Sequence, residues 1–68
     1  MALVVQLGKN VRRLRSEAGI SQEELGFRAE MKRSYVSDLE RGRRNPSVRA
    51  LERLADALGA HPTKLLED

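Results

Sequence analysis

Two short stretches of helical spacing lie almost end to end in the middle of this chain, and their closeness limits what it can fold into. The first opens at Ser21 and turns Leu25, Gly26 and Ala29 to one side. The second runs from about Lys32 to Arg41, with Val36 and Leu39 on its inner side. Residues three and four apart share one helix face, so each stretch has an apolar stripe to bury. The connection, roughly Ala29 to Met31, is too tight for a hairpin of long antiparallel helices. Short helices joined this tightly cross steeply, at roughly 90–120°.

The flanking segments are helical too. Leu3, Leu7, Val11, Leu14 and Ala18 form a stripe that Gly19 ends, since glycine readily takes the left-handed conformation found past helix ends. Ser21 with Glu24 three residues on reads as a reciprocal capping box. Gly42 closes the third helix, and Arg43-Arg44-Asn45-Pro46 makes a polar loop. The fourth helix is capped by Ser47, or by Asn45 with Pro46 at its first position. Its stripe is Val48, Leu51, Leu54, Ala55 and Leu58, closed by Gly59. His61-Pro62 opens a last short helix with Leu65 and Leu66, where His61 is a cap or solvent-exposed. No alternation of strand type, internal repeat or long linker interrupts this pattern. The expectation is an all-α fold of five helices, one domain over residues 1–68.

Composition excludes much chemistry. The 68 residues contain no cysteine, which removes disulfides, thiolate zinc sites and thiol catalysis. One histidine without a converging pair of carboxylates makes neither a metal site nor a triad, and no glycine-rich phosphate loop is present. No enzyme, metal, cofactor or small-molecule ligand is therefore expected. The absence of cysteine fits a reducing cytosol, so a cytoplasmic protein is expected, and the apolar opening from Met1 to Val5 breaks at Gln6, short of a signal peptide or membrane span. Two aromatic residues, Phe27 and Tyr35, are too few for a platform that stacks single strands.

Charge is unevenly placed. Residues 28–53 carry eight Lys/Arg against four Asp/Glu, whereas residues 54–68 carry one against three. A basic middle attracts phosphate backbones. Lys32 and Arg33 stand where the helix dipole is positive, and Lys is a poor cap. Cations at that end make sense if a polyanion approaches it. Together with the steep pair of helices, this pattern predicts a helix-turn-helix whose second helix would face the major groove of double-stranded DNA.

The run Ser21-Gln22-Glu23-Glu24-Leu25, followed by Ser34-Tyr35-Val36-Ser37-Asp38-Leu39-Glu40-Arg41-Gly42-Arg43-Arg44-Asn45-Pro46-Ser47, resembles the Cro/C1-type helix-turn-helix regulators. It is most similar to small stand-alone members such as restriction–modification controller proteins, and the resemblance covers about Leu7 to Leu66. It implies a lambda-repressor-like domain that regulates transcription. A single module this small makes few base contacts, so a homodimer on a pseudo-palindromic operator is expected. Arg33, Ser34, Ser37 and Asp38 would then address bases or nearby phosphates. Arginine reads guanine bidentately, and aspartate accepts from cytosine. Gln22, Lys32, Tyr35, Arg43, Arg44 and Asn45 would hold the sugar–phosphate backbone, which sets register. Arg15 and Glu40 would form a partly buried bridge from helix one to helix three. Leu3, Val4, Leu65 and Leu66 are candidates for the dimer interface. Two departures stand out: Glu30 where the family has glycine, and Lys32 where it has a capping side chain. Gly26, where the family has alanine, suggests close packing of helices two and three.

Several assignments have a structural competitor. Asp38 is also placed to pair with Arg41, Tyr35 to serve as a core or hinge aromatic, and Leu65 to fill the core. The alternative function is a protein-interaction module of the same fold, an antitoxin or bridging factor, with DNA binding secondary.

Overall fold

A computed structural model describes residues 2–68, so Met1, the start of the apolar opening, lies outside the described residues. Among the described residues the chain forms four α-helices and no strand: α1 (Leu3–Ala18), α2 (Gln22–Ala29), α3 (Arg33–Glu40) and α4 (Val48–Leu58). The expected fifth helix is instead a 3-10 turn, Pro62–Leu65. Four residues are too few for an α-helical ladder, and the tighter 3-10 turn suits such short pieces. His61 caps it, its Nδ1 accepting from the Thr63 N–H at 3.3 Å.

The stripes converge on one core. Leu7, Val11, Leu25, Ala29, Val36, Leu39, Leu54, Ala55 and Leu65 are buried together. Leu14, Ile20, Met31, Tyr35, Leu51, Ala57 and Leu58 pack against them from the rim. The α4 stripe begins later than its spacing suggested, because Val48 overhangs the core at the helix start and is 78% exposed. Leu65 is fully buried, so it belongs to the core and not to an interface.

Helix ends follow a common pattern. A residue of positive φ follows the helix, and the next N–H reaches back to a carbonyl five residues earlier. The bonds are Ile20 to Arg15 at 3.3 Å, Met31 to Gly26 at 2.8 Å, Arg43 to Asp38 at 2.9 Å and Ala60 to Ala55 at 2.9 Å. Glycine supplies the left-handed residue at three of these ends, but α2 uses Glu30 at φ 58°. The turn has therefore kept its shape and accepts a strained residue. The same bend presses backbone against α2. A Cβ on Gly26 would stand 2.6 Å from the Met31 carbonyl oxygen, so the close packing is against the turn leading into α3.

One buried polar side chain closes the molecule. Asn10, 4% exposed, lies in the inner half of α1. Its Nδ2 donates to the Leu65 carbonyl at 2.9 Å and the Glu67 carbonyl at 2.7 Å, tying the C-terminal segment to α1.

Candidate nucleic-acid interface

The periodicity of α3 determines what this region presents. Val36 and Leu39 are fully buried, so the opposite strip turns outward. Arg33 and Ser34 are exposed, and Ser37 and Asp38 half-buried. The helix spans Arg33–Glu40, with Lys32 as N-cap and Arg41 as C-cap, one residue inside the expected bounds at each end. Lys32 makes no side-chain cap bond. Among the described residues, no ion pair within 4.0 Å joins Asp38 to Arg41 or to any other cation.

A buried bridge holds α3 in place. Arg15 Nε donates to Glu40 Oε2 at 2.6 Å and Nη2 to Oε1 at 3.1 Å, while Nη1 reaches the Ile20 carbonyl at 2.9 Å. The Arg15 and Glu40 side chains are 16% and 4% exposed. Hydrogen bonding to Glu40 raises the Arg15 pKa above its ordinary value; burial opposes this, and the carboxylate's charge adds to it. Gln22 Nε2 also donates to Glu40 Oε1, at 3.0 Å. Glu40 therefore receives donors from α1 and α2. Gln22 was expected as a phosphate ligand, and here one of its two amide hydrogens is directed inward.

The N-terminus of α2 is capped by one half of the expected box. Ser21 Oγ accepts from the Glu24 N–H at 3.0 Å. The Glu24 carboxylate does not return the bond and pairs with Arg28 Nε at 2.8 Å, four residues along the exposed face. Arg15, Ser21, Gln22, Glu23 and Arg33 line an open polar hollow of about 440 Å³ at this end. It brings the first residues of α2 and α3 to one surface.

The exit from α3 carries the remaining basic residues. Arg43, Arg44 and Asn45 are exposed. The Arg44 guanidinium lies 4.6 Å from the centroid of the Tyr35 ring. Asn45 also edges a different surface, an apolar cleft of about 220 Å³ shared with Leu3, Val4, Leu7, Pro46, Val48, Leu51 and Leu66. Of the interface candidates, Leu3 and Leu66 are 45% and 40% exposed at this cleft, and Val4 is half-buried. Val48 joins this surface, although its place in the α4 stripe predicts a core position. Phe27, which no sequence pattern singles out as a surface contact, is 80% exposed on α2. Either exposure could have been suspected only from helix orientation. Among the described residues, no group of three His, Asp or Glu could hold a metal ion. None of the helices is long and apolar enough to cross a membrane.

Comparison with known proteins matches this arrangement. Residues 6–67 fit the model of a family described as a helix-turn-helix domain. The chain is 44% identical over 61 residues to the control protein C.BamHI of Bacillus amyloliquefaciens, covering 88% of this chain and 75% of that protein. It is 48% identical over 60 residues to the uncharacterized HTH-type transcriptional regulator y4dJ of Sinorhizobium fredii, covering 88% and 78%. The fold superposes on the crystal structure of the restriction-modification controller protein C.AhdI from Aeromonas hydrophila with a TM-score of 0.91. Identity there is 43%, over 96% of this chain and 98% of that one. With a matched model over nearly its whole length, an outward-facing α3 and a three-residue turn before it, the chain belongs to the helix-turn-helix family.

Proposed function

We propose that this protein binds double-stranded DNA sequence-specifically and regulates transcription. In this reading it is a single cytoplasmic domain acting as a homodimer, with α3 of each subunit in the major groove. The observation that carries the reading is the surface of α3. Its inner strip is fully buried, while its outer strip from Arg33 to Asp38 stands between Lys32 on one side and Arg41, Arg43 and Arg44 on the other. A rigid helix with polar groups outward and cations at both ends suits base edges flanked by phosphates. The relatives named as transcriptional regulators and restriction-modification controllers support a regulatory outcome.

Roles follow from position. Arg33 reads guanine, Ser34 and Ser37 contact bases or nearby phosphates, and Asp38, lacking a cation partner, accepts from cytosine. Lys32, Arg43, Arg44 and Asn45 hold the backbone. Gln22 contributes its second amide hydrogen and its N–H at the start of α2. Leu3, Val4 and Leu66, with Val48, supply an apolar patch for a second copy. A dimer would span half-sites about 34 Å apart on a pseudo-palindromic operator.

The test is a titration of the protein against its own promoter DNA across a salt series. Three backbone cations per subunit, Lys32, Arg43 and Arg44, give a slope of log K against log salt of about −5 for a dimer. Affinity should fall on the order of a thousandfold between 50 and 200 mM salt. A flat response rejects DNA binding. Sedimentation should find a dimer that the double substitution Leu3→Glu, Leu66→Glu converts to monomer; a wild-type monomer at high concentration rejects the dimer. The protein-interaction alternative has one observation in its favour, the exposed Phe27, and gains ground if DNA binding is salt-insensitive.

A further inference from the structure

We propose that Tyr35 is a positioning residue. Its ring holds the Arg44 guanidinium in place for the DNA backbone. The inference rests on the DNA-binding reading above. Arg44 Cζ stands 4.6 Å from the ring centroid, inside the roughly 6 Å within which a ring quadrupole attracts a cation. The two residues differ in how firmly they are held. Tyr35, third in α3, is half-buried against the hydrophobic core, and its N–H donates to the Lys32 carbonyl at 3.0 Å. Arg44 is exposed in the irregular segment between Gly42 and Ser47. That segment is tied at its start by Gly42 and Arg43 N–H groups bonded to Leu39 and Asp38 carbonyls, at 3.0 and 2.9 Å.

Among the described residues, no ion pair or side-chain hydrogen bond involves Arg44. The ring is what orients it. The chemistry of that contact matters. A carboxylate would orient the guanidinium equally well but would cancel the charge that a phosphate needs. An aromatic face orients it and leaves the charge in place. Fixing a long side chain before binding also removes part of the ordering cost of binding.

The stack can be seen without DNA. In the free protein, the side-chain protons of Arg44 should be shifted upfield by the ring current. The shift should persist in Tyr35→Phe and vanish in Tyr35→Leu. Tyr35 is the sole tyrosine and the chain has no tryptophan, so its near-ultraviolet signal reports this site alone. In DNA titrations, Tyr35→Leu should bind about two- to fivefold more weakly than Tyr35→Phe, which keeps the ring. In an Arg44→Ala background, Tyr35→Leu should cost nothing further. Arg44→Ala should lower the magnitude of the salt slope by about 1 per subunit, and Tyr35→Leu should leave it unchanged.

Because Tyr35 touches the core, a second variant is made at the exposed partner. Arg44→Lys keeps the charge but stacks less well, and should lose a similar factor at an unchanged slope. The proposal is overturned by an equal penalty for Tyr35→Leu in both backgrounds, by Tyr35→Phe losing as much as Tyr35→Leu, or by Arg44→Lys binding like wild type. If the wild type binds no duplex, the DNA reading falls with it; if only the coupling is missing, the DNA reading stands.

Discussion

Arg15 and Glu40, twenty-five positions apart, meet in a two-pronged bridge with Nε–Oε2 at 2.6 Å and Nη2–Oε1 at 3.1 Å. The pair is asymmetric, with the carboxylate at 4% exposure and the guanidinium at 16%. Arg15→Ala strands a buried carboxylate with Gln22 as its one remaining side-chain donor. The expected cost is about 3–5 kcal/mol. Glu40→Gln leaves an arginine that still bonds the Ile20 carbonyl and can reach water, so the loss should be smaller. Chemical denaturation of both variants checks the order, and the reverse ranking would show that the buried charge is not the carboxylate.

Glu30 sits at φ 58° where three other helix ends use glycine. A residue with a Cβ costs roughly 1–2 kcal/mol in that conformation. Part of the gain from Glu30→Gly is offset by the freer unfolded chain. A net stabilisation of about 1 kcal/mol should raise the melting temperature by about 4–8 °C in a domain of this size. An unchanged or lower melting point would mean that the turn carries no such strain.

Asn10 supplies hydrogens to two backbone carbonyls near the C-terminus. Asn10→Ala leaves the Leu65 carbonyl buried without its donor, at a cost of about 1–3 kcal/mol. Asn10→Asp should be worse, because a carboxylate would face two carbonyl oxygens. Thermal melts give the order. Hydrogen exchange should show the segment around Leu65 losing protection first, and unchanged protection there argues against a clamp.

Arg33 and Arg43 separate reading from gripping. Arg33→Ala should reduce discrimination at one base position by about 1–3 kcal/mol, measured by titrating a panel of single-base operator variants. Arg43→Ala should weaken binding to every duplex alike. Should Arg33→Ala leave the panel's rank order and spread intact, the outward strip of α3 does not read bases through this residue.

Much of the architecture could be read from local signals. Ser21, Ser47, Gly19, Gly42, Gly59 and Pro62 each act on backbone within a few residues, so their effects are written in adjacent sequence. The outward strip of α3 follows from the spacing of Val36 and Leu39. Other features depend on distant partners. Asn10 bonds carbonyls 55 and 57 positions away, and a carbonyl carries no residue identity to recognise. Gln22 and Glu24 had clear local roles, but Glu40 and Arg28 compete for their side chains. Val48 fits the helical wheel of α4 and still misses the core, because periodicity gives a face and not how far along the helix that face is covered. The Arg15–Glu40 bridge was expected from family resemblance alone, since no spacing rule links α1 to the end of α3.

The carboxylate of Glu40 is shared by side chains of α1 and α2 while belonging to α3. Its placement has a consequence for how the protein fails. If α3 loosened by itself, the carboxylate would exchange its Arg15 and Gln22 donors for water, so opening of α3 is tied to the loss of its links to α1 and α2. The helix proposed to meet DNA is then ordered only in molecules whose scaffold is ordered. A destabilising change elsewhere in the chain should reduce the number of competent molecules and leave the affinity of each survivor unchanged. A regulator built this way responds to damage as it would to a lower copy number.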